Sequence, residues 1–185
     1  MQASQSLDTF INGMTSLVDM HGDNEKEILQ QGRVLLADLI ADDSWLADEY
    51  RQGSADAYRQ YLLYLDPQSR FSVVSFVWGP GQKTPVHDHT VWGMVGVMNG
   101  RELCEEFSID FETGDLLKTG EHLIDPGGID LVSPTIGDVH RVSNALDDRD
   151  SISIHVYGAD IGRTSRHIFE ENGSVKTFIS GYSND

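Results

Sequence analysis

The chain has one cysteine, Cys104, among its 185 residues. An internal disulfide framework is therefore excluded, and the expected setting is the reducing cytoplasm. Basic residues are scarce: 13 Lys+Arg stand against 30 Asp+Glu, a formal charge of -17. Such a surface repels phosphate backbones and anionic lipid, which argues against nucleic-acid and membrane-surface partners. No apolar run approaches the roughly 18 residues that a membrane-spanning helix needs. The opening MQASQSLDTF lacks the basic and apolar regions of a secretory signal. There is no internal repeat, no low-complexity tract, no Walker loop and no dinucleotide fingerprint, and nothing signals an obligate protein partner. With 39% hydrophobic and 23% charged residues, the composition is that of a globular chain able to bury a core.

The pattern divides the chain into a mostly helical part, residues 1–65, and a β-barrel, residues 66–185, read together as one domain. Leu7, Phe10, Ile11, Met14, Leu17 and Val18 make one apolar stripe at helical spacing. Asn24 and Glu27 form a capping signal for a second helix carrying Ile28, Leu29, Leu35, Leu36, Leu39 and Ile40. Asp42, Asp43 and Ser44 predict the start of a short third helix through Trp45, Leu46 and Tyr50. Beyond Tyr58, short runs of β-branched and aromatic residues alternate with Gly, Pro and Asp. Many short strands so spaced predict an all-β sandwich or barrel with an N-terminal helical extension.

Histidines carry the chemistry. In His87-Asp88-His89 an extended backbone sends both rings to one face and Asp88 to the other. Two imidazoles so placed reach one metal ion, although a bare His-x-His is equally a pair of hydrogen-bonded histidines. A second pattern is Ser153-Ile154-His155-Val156-Tyr157. Period two aligns Ser153, His155 and Tyr157 on one face, where they form a hydrogen-bond relay or a packing ladder. It makes a poor nucleophilic serine site, because no acid completes a triad. His21, His122 and His167 lack paired spacing and read as structural or exposed.

The surroundings of His87 and His89 are more specific. Gly81, His87-x-His89, Gly93 and Gly100 form one long pattern; Gly128, Pro134 and Gly137-x-x-His140-x-x-x-Asn144 form another. Together they resemble the two cupin motifs of a small jelly-roll barrel, and the resemblance implies metal ligands at His87, His89 and His140. Gly93 stands where that motif usually has a glutamate. Three neutral imidazoles leave a divalent ion its full charge, which favours an anionic ligand such as a thiolate.

Combined with "WGPGQKTPVHDHTVWGMVG", "GDVHRVSN" and "SISIHVYGADIG", the Ser-x-His-x-Tyr run resembles the thiol dioxygenases, most closely the bacterial 3-mercaptopropionate branch. The likeness runs from about Tyr58 to Phe178. It implies Fe(II) on the three histidines, O2 and a small thiol carboxylate as substrates, and Tyr157 beside the iron. Some members join that tyrosine to a cysteine at the position of Gly93, so no such cross-link is expected here. Within this family a strand arginine holds the carboxylate of cysteine; the mercaptopropionate branch has glutamine there, matched by Gln60. It takes its arginine from the segment after the tyrosine, matched by Arg166, with Arg163 the competing residue. A guanidinium fork suits a carboxylate. The implied reaction is oxidation of 3-mercaptopropionate to 3-sulfinopropionate. The alternatives are L-cysteine as substrate or a non-catalytic metal-binding sensor; a zinc hydrolase lacks a placed general base.

Overall fold

A computed structural model describes residues 2–110 and 112–185. Two helices open it, α1 (Gln2–His21) and α2 (Glu25–Ile40). Gly22, at φ +54°, ends the first in a conformation that suits glycine. Asn24 caps the second by accepting from the Glu27 amide at 3.5 Å, as the capping signal predicts.

The expected third helix does not form. Asp42–Ala47 run through turns, and only Asp48–Arg51 make a single 3-10 turn. The Asp42 carboxylate accepts from the Ser44 amide at 3.0 Å, so that turn competes with helix. Trp45 and Leu46 still bury, with the indole donating to the Leu39 carbonyl at 2.9 Å.

Eleven strands follow among the described residues: β1 (Arg59–Leu65), β2 (Ser72–Trp78), β3 (Val86–His87), β4 (Gly93–Asn99), β5 (Glu102–Ile109), β6 (Leu116–Ile124), β7 (Ile129–Val132), β8 (His140–Asn144), β9 (Ser151–Tyr157), β10 (Arg166–Phe169) and β11 (Val175–Phe178). They pair into two antiparallel sheets, ordered β1-β2-β9-β4-β7 and β11-β10-β3-β8-β5-β6. The all-β jelly roll with its helical extension is thus the observed architecture. Strand β1 falls inside the stretch read as mostly helical; a register shift between Leu62 and Tyr64 interrupts the alternation that would mark it. Strand β10 also escaped the sequence reading.

The helices cover the outer face of the first sheet. Met14, Leu36 and Ile40 pack with Met94, Ile154 and Val156 in one buried cluster. Each fully buried side chain of this kind contributes about 1.5–3 kcal/mol. A Cβ at Gly96 would stand 2.9 Å from the Ile40 side chain, so glycine there lets α2 approach β4. No described helix is long and apolar enough to cross a membrane. The inner face of the same sheet is different: it carries Ser153, His155 and Tyr157 beside Phe76 and Trp78.

Candidate metal centre and substrate pocket

His87 and His140 are register partners on β3 and β8, neighbouring strands of one sheet. His89 lies just beyond β3 and turns back toward them. The ring centroids stand 4.8, 5.0 and 4.7 Å apart for the His87–His89, His87–His140 and His89–His140 pairs. One ligand nitrogen from each falls within 4.8 Å of the others, and all three residues are buried.

The outer nitrogens are occupied. His87 Nδ1 donates to the Pro85 carbonyl at 3.0 Å, His89 Nδ1 to Asp138 at 2.9 Å, and His140 Nδ1 faces Cys104 Sγ at 3.7 Å. This leaves the three Nε2 lone pairs to converge, and buried His89 Nε2 has no hydrogen-bond partner. Orphaned buried nitrogens are costly unless something binds them. Burial, then the neighbouring His89, hold His87 and His140 well below the usual imidazole range, so both stay neutral donors. The residues therefore fit a divalent metal with an all-nitrogen protein set.

Asp138 was not foreseen. One carboxylate oxygen accepts from His89 N at 3.0 Å, the other from Thr90 N at 2.9 Å. It fixes both the ring and the loop that carries it. Its place two residues before His140 was the available signal. Asp88, facing away as expected, accepts from His167 N and Nδ1, both at 2.7 Å. That pair ties β10 to β3 and so sets Arg166 beside the histidines.

Ser153, His155 and Tyr157 form the expected ladder. Ser153 Oγ lies 2.8 Å from His155 Nε2, and His155 Nδ1 2.7 Å from the Tyr157 hydroxyl. Trp78 Nε1 donates to Ser153 Oγ at 3.1 Å, and Phe76 stacks on His155 with centroids 4.0 Å apart. The Tyr157 ring stacks on His89 at 5.4 Å, beside the histidine cluster. Burial pushes the Tyr157 phenol above its ordinary value, so it remains protonated.

A narrow cleft opens onto His87, His140 and Tyr157, and Arg166 and Gln60 line it as well. Arg166 is 5% exposed. Its Nη2 donates to Ser180 Oγ at 2.6 Å, its guanidinium lies 4.6 Å from the Phe178 ring centroid, and its Nε has no partner. It has no ion pair with any described acid. Arg163 is exposed instead and pairs with Asp185 at 3.4 Å, which removes it from the pocket. Gln60 is half-buried, and its Nε2 donates to the Gly181 carbonyl.

Cys104 is buried, with its Sγ 3.7 Å from His140 Nδ1. Cys104, His122 and Asp130 also come within 4.8 Å of one another. There His122 Nε2 lies 2.7 Å from an Asp130 carboxylate oxygen, within hydrogen-bond distance. His21 meets Gln31 at 3.1 Å.

Two sheets closed around a buried three-histidine pocket define a cupin, or double-stranded β-helix, protein. An uncharacterized conserved protein with a double-stranded β-helix domain from Klebsiella pneumoniae has a similar fold: 17% identity, 74% of this chain and 97% of that one covered, TM-score 0.50. A cupin-like protein from Thermotoga maritima is 18% identical over 77% of this chain and 93% of that one, with TM-score 0.47. The family model for cysteine dioxygenase type I matches residues 44–167. The chain belongs to the cysteine dioxygenase type I family.

Proposed function

We propose that the protein is a cytoplasmic, iron-dependent thiol dioxygenase that converts 3-mercaptopropionate and O2 to 3-sulfinopropionate. His87, His89 and His140 would hold Fe(II), which when bound supplies open coordination positions and the redox chemistry of O2. The reaction balances as thiol plus O2 giving sulfinic acid, with both oxygen atoms on sulfur.

The observation that carries this reading is Arg166. A guanidinium nearly out of water, lacking an acidic partner, costs several kcal/mol unless an anion meets it. It lies in the same cleft as the histidines. A molecule joining a thiolate to a carboxylate across a short chain satisfies both ends at once. Ser180 and Phe178 hold the guanidinium plane, so the fork is oriented before substrate arrives. Gln60 offers its remaining amide groups beside it, without adding charge. The Tyr157 hydroxyl, fixed by His155, stands on a residue that lines the same cleft. Phe76 and Trp78 wall the ladder against water.

Oxygen uptake and sulfinate formation measured in parallel with 3-mercaptopropionate, L-cysteine and cysteamine test the proposal. The expected order places 3-mercaptopropionate first and cysteamine, which has no carboxylate, last. A preference for L-cysteine would reassign the substrate. Tight thiol binding without oxygen uptake would make the protein a sensor.

A further inference from the structure

A second group of metal-binding atoms stands apart from the three-histidine centre. Cys104 on β5 and His122 on β6 are register partners, so their side chains share one face of the sheet. Asp130 comes from β7, in the other sheet. One ligand atom from each of the three lies within 4.8 Å of the others. Strands β6 and β7 are the last strands of their respective sheets, and no strand pairing joins them. The cluster therefore spans two sheet edges.

We propose that Cys104, His122 and Asp130 form a second metal site, suited to Zn2+, that ties the edge of one sheet to the edge of the other. The site is independent of the dioxygenase reading, because none of the three residues lines the substrate cleft.

The donor set selects the ion. One thiolate, one imidazole and one carboxylate suit zinc, whereas magnesium and calcium take oxygen ligands. Thiolate and carboxylate together cancel the charge of a divalent ion. Cys104 binds as the thiolate, and its proton leaves to water as the metal–sulfur bond forms. The ligands of a tetrahedral zinc ion stand roughly 3.3–3.8 Å apart, a spacing these atoms reach with small adjustments. His122 Nε2 and Asp130 Oδ2, now 2.7 Å apart, open by about half an ångström around an ion. The imidazole hydrogen then sits on Nδ1, which faces Glu106 Oε1 at 3.8 Å. A carboxylate in that outer place orients a metal-bound histidine. A hydrogen-bonded pair alone accounts for His122 and Asp130; it does not account for a thiol set within reach of both.

The cluster is also reachable. A cavity of about 400 Å³ is lined by all three residues. Cys104 is 3% exposed, while the His122 and Asp130 side chains are 41% and 21% exposed. An ion thus enters from solvent past the histidine and the carboxylate, and the cavity leaves room for water in the fourth position.

The test uses Co2+ as the spectroscopic stand-in for zinc, added to the full chain without oxygen or added thiol. Cys104 is the one cysteine of the sequence, so any thiolate-to-cobalt charge-transfer absorption in the near ultraviolet reports this residue. The expected result is such a band, saturating at one ion per chain and erased by excess Zn2+, which binds such donors more tightly than Co2+. Cys104→Ala should abolish the band. His122→Ala and Asp130→Asn, both at partly exposed positions, should each raise the Co2+ dissociation constant read from the band by at least about tenfold. His87→Gln, which disables the three-histidine centre, should leave the band and its dissociation constant unchanged. No band in the parent protein overturns the proposal, as does a band that either His122→Ala or Asp130→Asn leaves unmoved. A band that survives excess Zn2+ overturns the assignment to zinc. Loss of the band in a His87→Gln protein that still melts cooperatively overturns the separate site, because the sulfur then serves the histidine centre.

Discussion

Gly93 and Tyr157 are register partners on β4 and β9, and a Cβ at residue 93 would stand 2.8 Å from the tyrosine ring. Glycine at this position leaves the space in which Tyr157 stacks on His89. Gly93→Ala should therefore push the ring aside. Overpacking of this kind costs about 1–3 kcal/mol. The expected outcome is a lower melting temperature together with a lower kcat, read by calorimetry and oxygen uptake. A variant with the parent's kcat would show that Tyr157 need not occupy this position.

Arg166→Ala should raise KM for 3-mercaptopropionate while leaving bound iron unchanged. Charge-assisted hydrogen bonds contribute about 1.5–3 kcal/mol, so kcat/KM should fall roughly 10- to 150-fold. The rate with cysteamine should change little, because that substrate brings no carboxylate to the pocket. Equal losses for both thiols would point to a folding role for Arg166.

Asp138→Asn should weaken metal binding. The carboxylate accepts three hydrogen bonds from His89 and Thr90. Losing such an outer partner lowers affinity by about 10- to 100-fold. Competition with a chelator reads this directly, without reference to turnover.

Stability should depend on pH with opposite signs at the two ends. Burial raises Glu102 from 4.5 to about 7, so its contribution is complete below pH 4.5 and is lost as pH rises through about 7. Asp66 works the other way: its hydrogen bond from Arg70 lowers it to about 2. That contribution is present above pH 3.8 and is lost as pH falls through about 2. Urea unfolding across this range should show both trends, and Glu102→Gln should remove only the alkaline one.

What the sequence makes legible is local. Period two alone puts Ser153, His155 and Tyr157 on one face, and the short His87-x-His89 spacing brings two rings together wherever the backbone is extended. Contacts that cross the fold carry no such signal. Asp138 reaches His89 across 49 residues, and Ser151 meets Glu102 across 49 more. Closure of the barrel creates both contacts. The third helix was misread because Asp42 and Ser44 serve a turn as well as a helix cap. Strand β1 was hidden by its bulge. Arg166 could be ranked above Arg163 only by resemblance; the fold separates them by burying one and exposing the other.

The most direct test of the account is turnover of 3-mercaptopropionate under 18O2 by iron-loaded protein, with the product weighed by mass spectrometry. The account predicts 3-sulfinopropionate with both sulfinate oxygens labelled and one O2 consumed per product. A product carrying unlabelled oxygen from water, or an iron-loaded protein that binds the thiol and consumes no oxygen, would contradict it.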